Sequence, residues 1–153
     1  MTTENQAALK GFALQLQDIA DKIVPEKVVA LQKWVALNVF RRVLQKTPVD
    51  KGILRGSWAV SVGSPDYAVR KEPSRAANGH EALPDEIQKM QAMLTQIASA
   101  QVGAVIWISN AQPYVARIEF GGHSKEKAPR GMVRISIEEL RVELEARKGM
   151  IVS

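Results

Sequence analysis

The spacing of apolar residues at the start of the chain predicts two helices separated by a proline. In the first, apolar residues recur every three or four positions, as in an amphipathic helix: Leu9, Phe12, Leu16, Ile19 and Ile23. Pro25 lacks a backbone donor and crowds the turn before it. We therefore expect a long N-terminal helical region that is broken or kinked near Val24 and restarts with Pro25 in its first turn.

The second predicted helix, residues 26–45, is apolar over most of its circumference. One side carries Val28, Leu31, Val35 and Val39, and much of the rest is filled by Trp34, Leu37, Phe40 and Leu44. Such a helix is either central to the fold or also packed against another subunit. For a domain of this size we expect the second in part, which makes Trp34 and Phe40 candidate interface residues.

A turn and then a strand are predicted after this helix. Thr47 precedes Pro48 and is pushed out of the helical region, while Asp50 and Gly52 supply turn chemistry. Apolar residues and glycine then alternate with small or polar ones, the period of a strand with one wet face: Leu54, Gly56, Trp58, Val60 and Val62.

The middle of the chain predicts a long loop and a third amphipathic helix. Residues 64–83 are rich in proline, serine, alanine and mixed charge and show no sustained period. Pro84 then opens a helix whose apolar stripe is Ile87, Met90, Leu94 and Ile97. We expect the methionines of this helix to fill gaps in the core.

The last third of the chain predicts a strand and two helices. Residues 103–109 are nearly all apolar, which predicts a central strand covered on both faces. A short helix is predicted over residues 115–120, between Pro113 and Gly121. A final helix opens at Pro129, has the stripe Val133, Ile137, Leu140 and Leu144, and is predicted to stop at Gly149.

These elements predict an α+β fold in a single domain, residues 1–153, with a small antiparallel sheet and amphipathic helices that include a C-terminal one. Hydrophobic residues make up 46% of the chain and charged residues 24%, as in globular proteins. The absence of cysteine excludes disulfides, thiolate nucleophiles and sulfur-ligated zinc. With no secretion signal and no apolar run of membrane-spanning length, we expect a protein that stays in the cytoplasm where it is made.

The formal net charge of +5 is concentrated in one stretch of the chain. From Arg41 to Arg55, five basic residues face one acidic residue, Asp50, and most of the excess lies there. A basic patch of this kind is typical of nucleic-acid-binding modules, which bind phosphates in a salt-dependent way. A nucleic-acid-binding module using residues 41–55 is therefore the alternative function.

No combination of residues in the sequence predicts a catalytic centre. His80 has no second ligand at metal spacing, and His123 has Glu119 and Glu126 nearby only in a loose, common pattern. The segment from Gly121 to Lys125 lacks the spacing of a phosphate loop. We expect a protein that is not an enzyme and has no cofactor or metal; a hydrolase with His123 as its base is the remote alternative.

Two blocks of the chain resemble one known family. The first, Thr47 to Trp58, reads TPVDKGILRGSW and is similar to the TPVDTGxLRxSW segment of the bacteriophage tail-component family of neck and tail-completion proteins. The second begins with Ile108, Ser109 and Asn110, continues with Pro113, Tyr114, Ile118, Glu119 and Gly121, and ends with the run from Lys127 to Val133. Together the blocks, residues 47–58 and 108–133, cover about a quarter of the chain, in the order and approximate register of the family.

The resemblance implies a structural role at the junction between head and tail of a long-tailed phage. Identical subunits would form a ring, a hexamer by analogy with tail parts, that binds head-connector or head-closure proteins and tail-tube or terminator proteins while DNA passes through the middle. Ring closure requires one patch to meet a different patch on the next copy. The candidate interface residues are Trp34, Phe40, Asp50, Arg55, Trp58, Tyr114, Glu119, Lys125, Lys127 and Met132.

Several of these candidates also have simpler interpretations. Trp58 and Tyr114 have the residue types of core or helix-start positions, and Asp50 is a turn former. Arg55 and Glu119 are candidates for an ion pair within one subunit. The chain departs from the family at Lys51, where threonine is commoner, and in residues 64–101, a loop and helix that we interpret as an insertion.

Overall fold

The computed structural model describes residues 3–48, 52–71, 84–121, 128 and 130–152. Its elements, in chain order, are α1 (Thr3–Ala20), α2 (Pro25–Lys46), α3 (Ile53–Gly56), β1 (Ala59–Val62), α4 (Pro84–Ser99), β2 (Ile106–Ser109), α5 (Val115–Phe120) and α6 (Val133–Val152). The fold is mostly helical with a small antiparallel sheet and a C-terminal helix, which confirms the predicted α+β class.

The N-terminal region consists of two helices that are separated by a turn. Helix α1 ends at Ala20, and α2 begins with Pro25 in its first turn, after Val24 in an extended conformation. The proline therefore breaks the helical region and does not merely kink it, because an extended residue before it redirects the chain.

Helix α2 lies at the centre of the fold. It packs against α6, α4 and β2, and its buried side chains include Leu31, Phe40 and Val43. Most of the broad apolar surface of α2 is thus buried against other elements of the same chain. Leu37 is 41% exposed, and Trp34 is half-buried.

The segment predicted as one strand from Leu54 to Val62 forms a helical turn followed by a shorter strand. Gly52 has a φ of 80°, and the amide of Gly56 donates to its carbonyl, which closes the turn of α3. The Ser57 hydroxyl also donates to the Ile53 carbonyl at 2.6 Å. The prediction of a strand was wrong for residues 54–58 because these local hydrogen bonds favour a turn over an extended chain.

The sheet that the structure describes has two antiparallel strands, with Val60 paired to Ile108 and Val62 to Ile106. One face packs towards α2 and α4. On β2, Trp107 is 39% exposed, and Val105 just before the strand is 52% exposed. The prediction of a central strand covered on both faces was therefore wrong.

Helix α4 turns a different side to the core than its stripe predicted. Met93 and Ile97 are buried, but Ile87, Met90 and Leu94 are 36–47% exposed. The core-facing side is shifted by part of a turn because α4 packs beside both α2 and β1. The prediction that the methionines fill the core is right for Met93 and wrong for Met90.

The two remaining helices follow the sequence pattern closely. Helix α5 spans Val115–Phe120 as predicted, and Ile137, Leu140 and Leu144 of the predicted α6 stripe are buried. Both predicted ends were wrong: α6 begins at Val133 and not at Pro129, and Gly149 does not stop it, since it continues to Val152. A glycine costs about 1 kcal/mol inside a helix, a penalty that packing of the last turn offsets.

The core consists of two apolar clusters on either side of α2. One joins α2, the sheet, α4 and α5 around Phe40 and Trp58, and the other joins α1, α2 and α6 around Ile19 and Leu140. Val39 of α2 contacts both clusters. Over the part of the chain that the structure describes, no helix combines the length and apolarity needed to cross a membrane.

Candidate functional site

The described parts of the two sequence blocks meet in the fold. The Asn110 side chain donates to the Leu54 carbonyl at 2.9 Å, and the Gln112 side chain donates to the Ser57 hydroxyl at 2.7 Å. Ser57 and Gln112 are both buried. We call this contact of Leu54 and Ser57 with Asn110 and Gln112 the block junction.

The first block is tied to the end of α2 as well. The Trp58 indole N–H donates to the Thr47 hydroxyl at 2.9 Å, and that hydroxyl donates to the Val43 carbonyl at 2.6 Å. Both side chains are buried, with Thr47 4% and Trp58 5% exposed. The threonine and the tryptophan of the block thus fix the turn after α2 against the start of β1.

Residues 64–71, which form neither a helix nor a strand, contact the block junction. The Ser109 hydroxyl donates to the Asp66 carbonyl at 2.8 Å, and the Gln112 side chain donates to the Arg70 carbonyl. Asp66 accepts from the Ala68 amide and pairs with Arg70, and these contacts lower the pKa of its carboxyl below the usual value. The sequence predicted only an irregular loop here.

Glu119 of the second block holds the start of α6. Its carboxylate accepts hydrogen bonds from the backbone amides of Met132, Val133 and Arg134 at 2.6, 2.9 and 2.9 Å. The side chain is 8% exposed. The first amides of a helix have no partner within it, so the carboxylate satisfies them from a neighbouring helix. We call this arrangement the α6 anchor.

Two further residues complete the α6 anchor. Gly131 has a φ of 85°, and a Cβ there would lie 2.7–2.9 Å from atoms of Glu119. The Arg134 guanidinium donates to the Glu119 carbonyl, lies 3.4 Å from its carboxylate and stands over the Phe120 ring. Gly131 of the second block and Arg134, the residue directly after the block, therefore both help to hold Glu119 in place.

The basic stretch after residue 40 is partly neutralised by α6. Arg42 pairs with Glu139 and Glu143, and Lys46 pairs with Glu139 at 2.7 Å. Burial alone would raise the pKa of Glu139, but hydrogen bonds from Lys46 and Arg42 lower it below the usual value. These ion pairs use two of the cations that the alternative, nucleic-acid-binding function requires.

Several predicted interface residues lie inside the chain. Phe40 and Met132 belong to the apolar core with Trp58, and Glu119 belongs to the α6 anchor. Burial accounts for these four side chains, so we leave them out of the proposed subunit surface. The Glu119 contacts described above are made with α6, whereas the sequence suggested a pair with Arg55.

Three other candidates lie at least partly at the surface. Trp34 and Arg55 are half-buried, and Tyr114 is 38% exposed just before α5. Asp50, Lys125 and Lys127 lie outside the described residues, as do His80 and His123. Within the described ranges, no group of three or more histidine, aspartate or glutamate residues could hold a metal ion.

A groove that the sequence did not predict lies between α2 and α6. It has a volume of about 380 Å3 and is lined by Lys27, Ala30, Leu31, Trp34, Arg147, Met150 and Ile151. The Arg147 guanidinium stands over the Trp34 ring, 5.8 Å from its centre. We call it the α2–α6 groove.

No family model, no curated protein and no solved structure matches the chain. The resemblance to phage neck and tail-completion proteins therefore rests on the residues of the two blocks.

Proposed function

We propose that the chain is a structural subunit of the head–tail junction in a long-tailed bacteriophage. In this role, identical copies form a ring, a hexamer by resemblance, that completes the tail or neck. The ring binds head-connector or head-closure proteins on one side and tail-tube or terminator proteins on the other. Viral DNA passes through its channel without sequence recognition, and the assembled protein is part of the virion.

The observation that carries this proposal is the block junction. One hydrogen bond joins Asn110 of the second block to Leu54 of the first, 56 positions away. The other joins Ser57 to Gln112, 55 positions away, which lies between matched residues of the second block. The two blocks that resemble the family therefore belong to one structural unit, as expected if they were inherited together.

The exposed apolar side chains give independent support for assembly. Ile87, Met90 and Leu94 lie on one side of α4 and are all at least 36% exposed, while Val142 of α6 is 66% exposed. Contiguous apolar surface on a soluble chain is typical of protein–protein contact. A ring subunit needs such surfaces on two different sides.

The proposal is tested by removing the chain from a phage that encodes it. Full heads and separate, unjoined tails should accumulate, and the wild-type chain supplied in trans should restore complete particles. Negative-stain microscopy distinguishes these outcomes. Complete infectious particles in the absence of the chain would contradict the proposal.

A second test measures mass by light scattering, with the protein alone and mixed with the head-connector and tail-tube proteins of the same phage. We expect a ring-sized species in at least one mixture. The protein alone need not form a ring, because some phage subunits assemble only on a neighbouring protein that serves as the template. A chain that stays monomeric and binds neither neighbour would contradict the proposal.

A further inference from the structure

We propose that the α2–α6 groove of one copy receives a ridge on α6 of the next copy. The α6 ridge consists of Glu138, Val142 and Glu145. This inference rests on the proposed function, because it names the two different patches through which identical copies would close a ring.

The chemistry of the groove defines what it can bind. Its floor is apolar, with Leu31, Trp34 and Ile151, and it carries two cations, Lys27 and Arg147, but no acidic residue among those that line it. Arg147 also pairs with Glu143 at 3.0 Å outside the lining. An occupant with an apolar centre between negative charges is therefore complementary to the groove.

The α6 ridge has this composition. Positions 138, 142 and 145 share one side of the helix, because they are four and seven residues apart. Val142 points away from the core formed by Leu140 and Leu144 and is 66% exposed, and both glutamates are exposed. The ridge thus presents an apolar side chain with a carboxylate about one turn away on each side. Glu138 also pairs with Arg141 at 3.4 Å, and Glu145 accepts a hydrogen bond from Gln15 at 3.4 Å.

The exposed stripe of α4 is the other apolar surface that a second copy could offer. Ile87, Met90 and Leu94 are larger than Val142, but the exposed residues between them, such as Gln88 and Gln91, are neutral. Because Arg147 already pairs with Glu143, Lys27 is the charge that an occupant would neutralise, and no exposed residue between Ile87 and Leu94 is acidic. Charge complementarity therefore selects the α6 ridge as the occupant.

The proposed charge complementarity is tested by reversing charges on the groove in one variant and on the ridge in another, and then mixing the two variants. Lys27→Glu alters the groove, and the double variant Glu138→Lys, Glu145→Lys alters the ridge. Each variant alone should self-associate about fivefold more weakly, because opposed charges at an interface rim are worth about 1 kcal/mol. An equal mixture should recover part of the lost association, since the altered groove can then meet the altered ridge and the unaltered groove the unaltered ridge, while Arg147 stays in every groove.

Sedimentation velocity provides the measurement, on the protein alone or, if that is monomeric, on its mixture with the neighbour that supports ring formation. Lys10→Glu on the exposed side of α1 is the matched control, with no effect expected. If Lys10→Glu weakened self-association as much as Lys27→Glu does, net charge alone would govern association. That result would overturn the proposed contact between groove and ridge. Failure of the mixture to recover association would also overturn it.

Cysteine cross-linking tests the contact directly, because the chain has no cysteine of its own. We expect Ala30→Cys chains mixed with Val142→Cys chains to give a mixed disulfide-linked dimer in excess of either homodimer. Leu94→Cys chains, which place the thiol on the α4 stripe, should give less. A preference for Leu94→Cys, or no mixed product with Val142→Cys, would overturn the inference.

Different results would contradict the proposed head–tail function and the proposed contact between groove and ridge. If the wild-type protein forms a ring or binds the connector but the Ala30 and Val142 variants do not cross-link, only the groove-and-ridge contact is wrong. If wild type also fails to bind itself and its proposed neighbours, the head–tail function is wrong as well.

Discussion

At the residue scale, the α6 anchor shows how one side chain can determine where a helix starts. The Glu119 carboxylate is nearly buried and accepts from three successive backbone amides, 13 to 15 residues further along the chain. Burial of a carboxylate is costly unless its oxygens are hydrogen-bonded, and here both are. Glu119 thus joins α5 to α6 through the backbone itself.

We expect Glu119→Gln to destabilise the protein by about 2–4 kcal/mol, because the amide group loses the charge and places N–H donors against backbone donors. Urea denaturation followed by circular dichroism measures the change. Glu138→Gln, on the exposed side of α6, is the control and should change the free energy of unfolding by less than about 0.5 kcal/mol. Equal effects of the two variants would show that Glu119 does not anchor α6.

Gly131 and Gly103 form a second matched pair. Both have a positive φ, 85° and 79°, but a Cβ at Gly131 would lie within 3.0 Å of Glu119, whereas Gly103 has nothing within 4 Å. Gly103→Ala should cost about 1 kcal/mol for the backbone conformation alone. Gly131→Ala should cost at least about 1 kcal/mol more, because the anchor must also shift.

Thermal or urea unfolding of both variants measures this difference. Equal losses of stability would mean that the anchor adapts to a methyl group, and that close packing around Glu119 contributes nothing to stability.

At the scale of the elements, α1 is attached to the rest of the fold mainly through α6. Phe12 and Ile19 contribute the apolar part of this contact. The polar part includes Asp18, which lies 2.8 Å from Lys148 of α6 and 2.9 Å from Lys22. Hydrogen bonds from Lys148 and Lys22 lower the pKa of Asp18 from 3.8 to about 2, and the same contact raises the pKa of Lys148.

The lowered pKa of Asp18 predicts a pH-dependent contribution to stability. A carboxylate with a depressed folded-state pKa stabilises the fold above its unfolded-state value of 3.8, and this contribution is lost as the pH falls to about 2. We therefore expect the difference in unfolding free energy between wild type and Asp18→Asn to be constant near neutral pH. It should shrink as the pH falls through this window.

The measurement is urea denaturation at a series of pH values, with Asp21→Asn as the control. The Asp21 side chain accepts a hydrogen bond from Gln17 within α1. A difference for Asp18→Asn that does not change with pH would contradict the attribution to the ion pairs with Lys148 and Lys22.

At the scale of the whole molecule, the distribution of charge bears on the choice between assembly and nucleic-acid binding. The ion pairs of Arg42 and Lys46 with Glu139 and Glu143 tie α2 to α6. Arg41 is exposed and donates to Asn38. The local excess of charge in the sequence is thus reduced by acidic residues that are about 100 positions away.

We expect the purified protein to bind duplex DNA weakly, with a shallow dependence on salt, because Arg42 and Lys46, two of the five cations of this stretch, are already paired with carboxylates. Titration of a fluorescent duplex at several salt concentrations measures the slope. Arg41→Ala should leave it nearly unchanged. A steep slope that decreases with Arg41→Ala would favour the nucleic-acid-binding alternative.

The sequence by itself determined the positions of most helices and the class of the fold. Pro25 and Gly121 marked a helix start and a helix end, since their backbone preferences are local, and the stripe of α6 was predicted because Ile137, Leu140 and Leu144 face one partner layer. The two blocks were likewise visible in the sequence as resemblances. Their contact with each other was not.

Only the tertiary structure decided the features that depend on distant residues. The start of the predicted strand forms the helical turn α3. In α4, Met93 is buried in the core and Met90 is 36% exposed. In both places, packing against neighbouring elements overrides the periodicity of the local sequence. The anchoring role of Glu119, the neutralisation of Arg42 and the α2–α6 groove all require contacts between elements far apart in the chain. Periodicity records which residues share a face, but the surface that this face meets is fixed only when the chain folds.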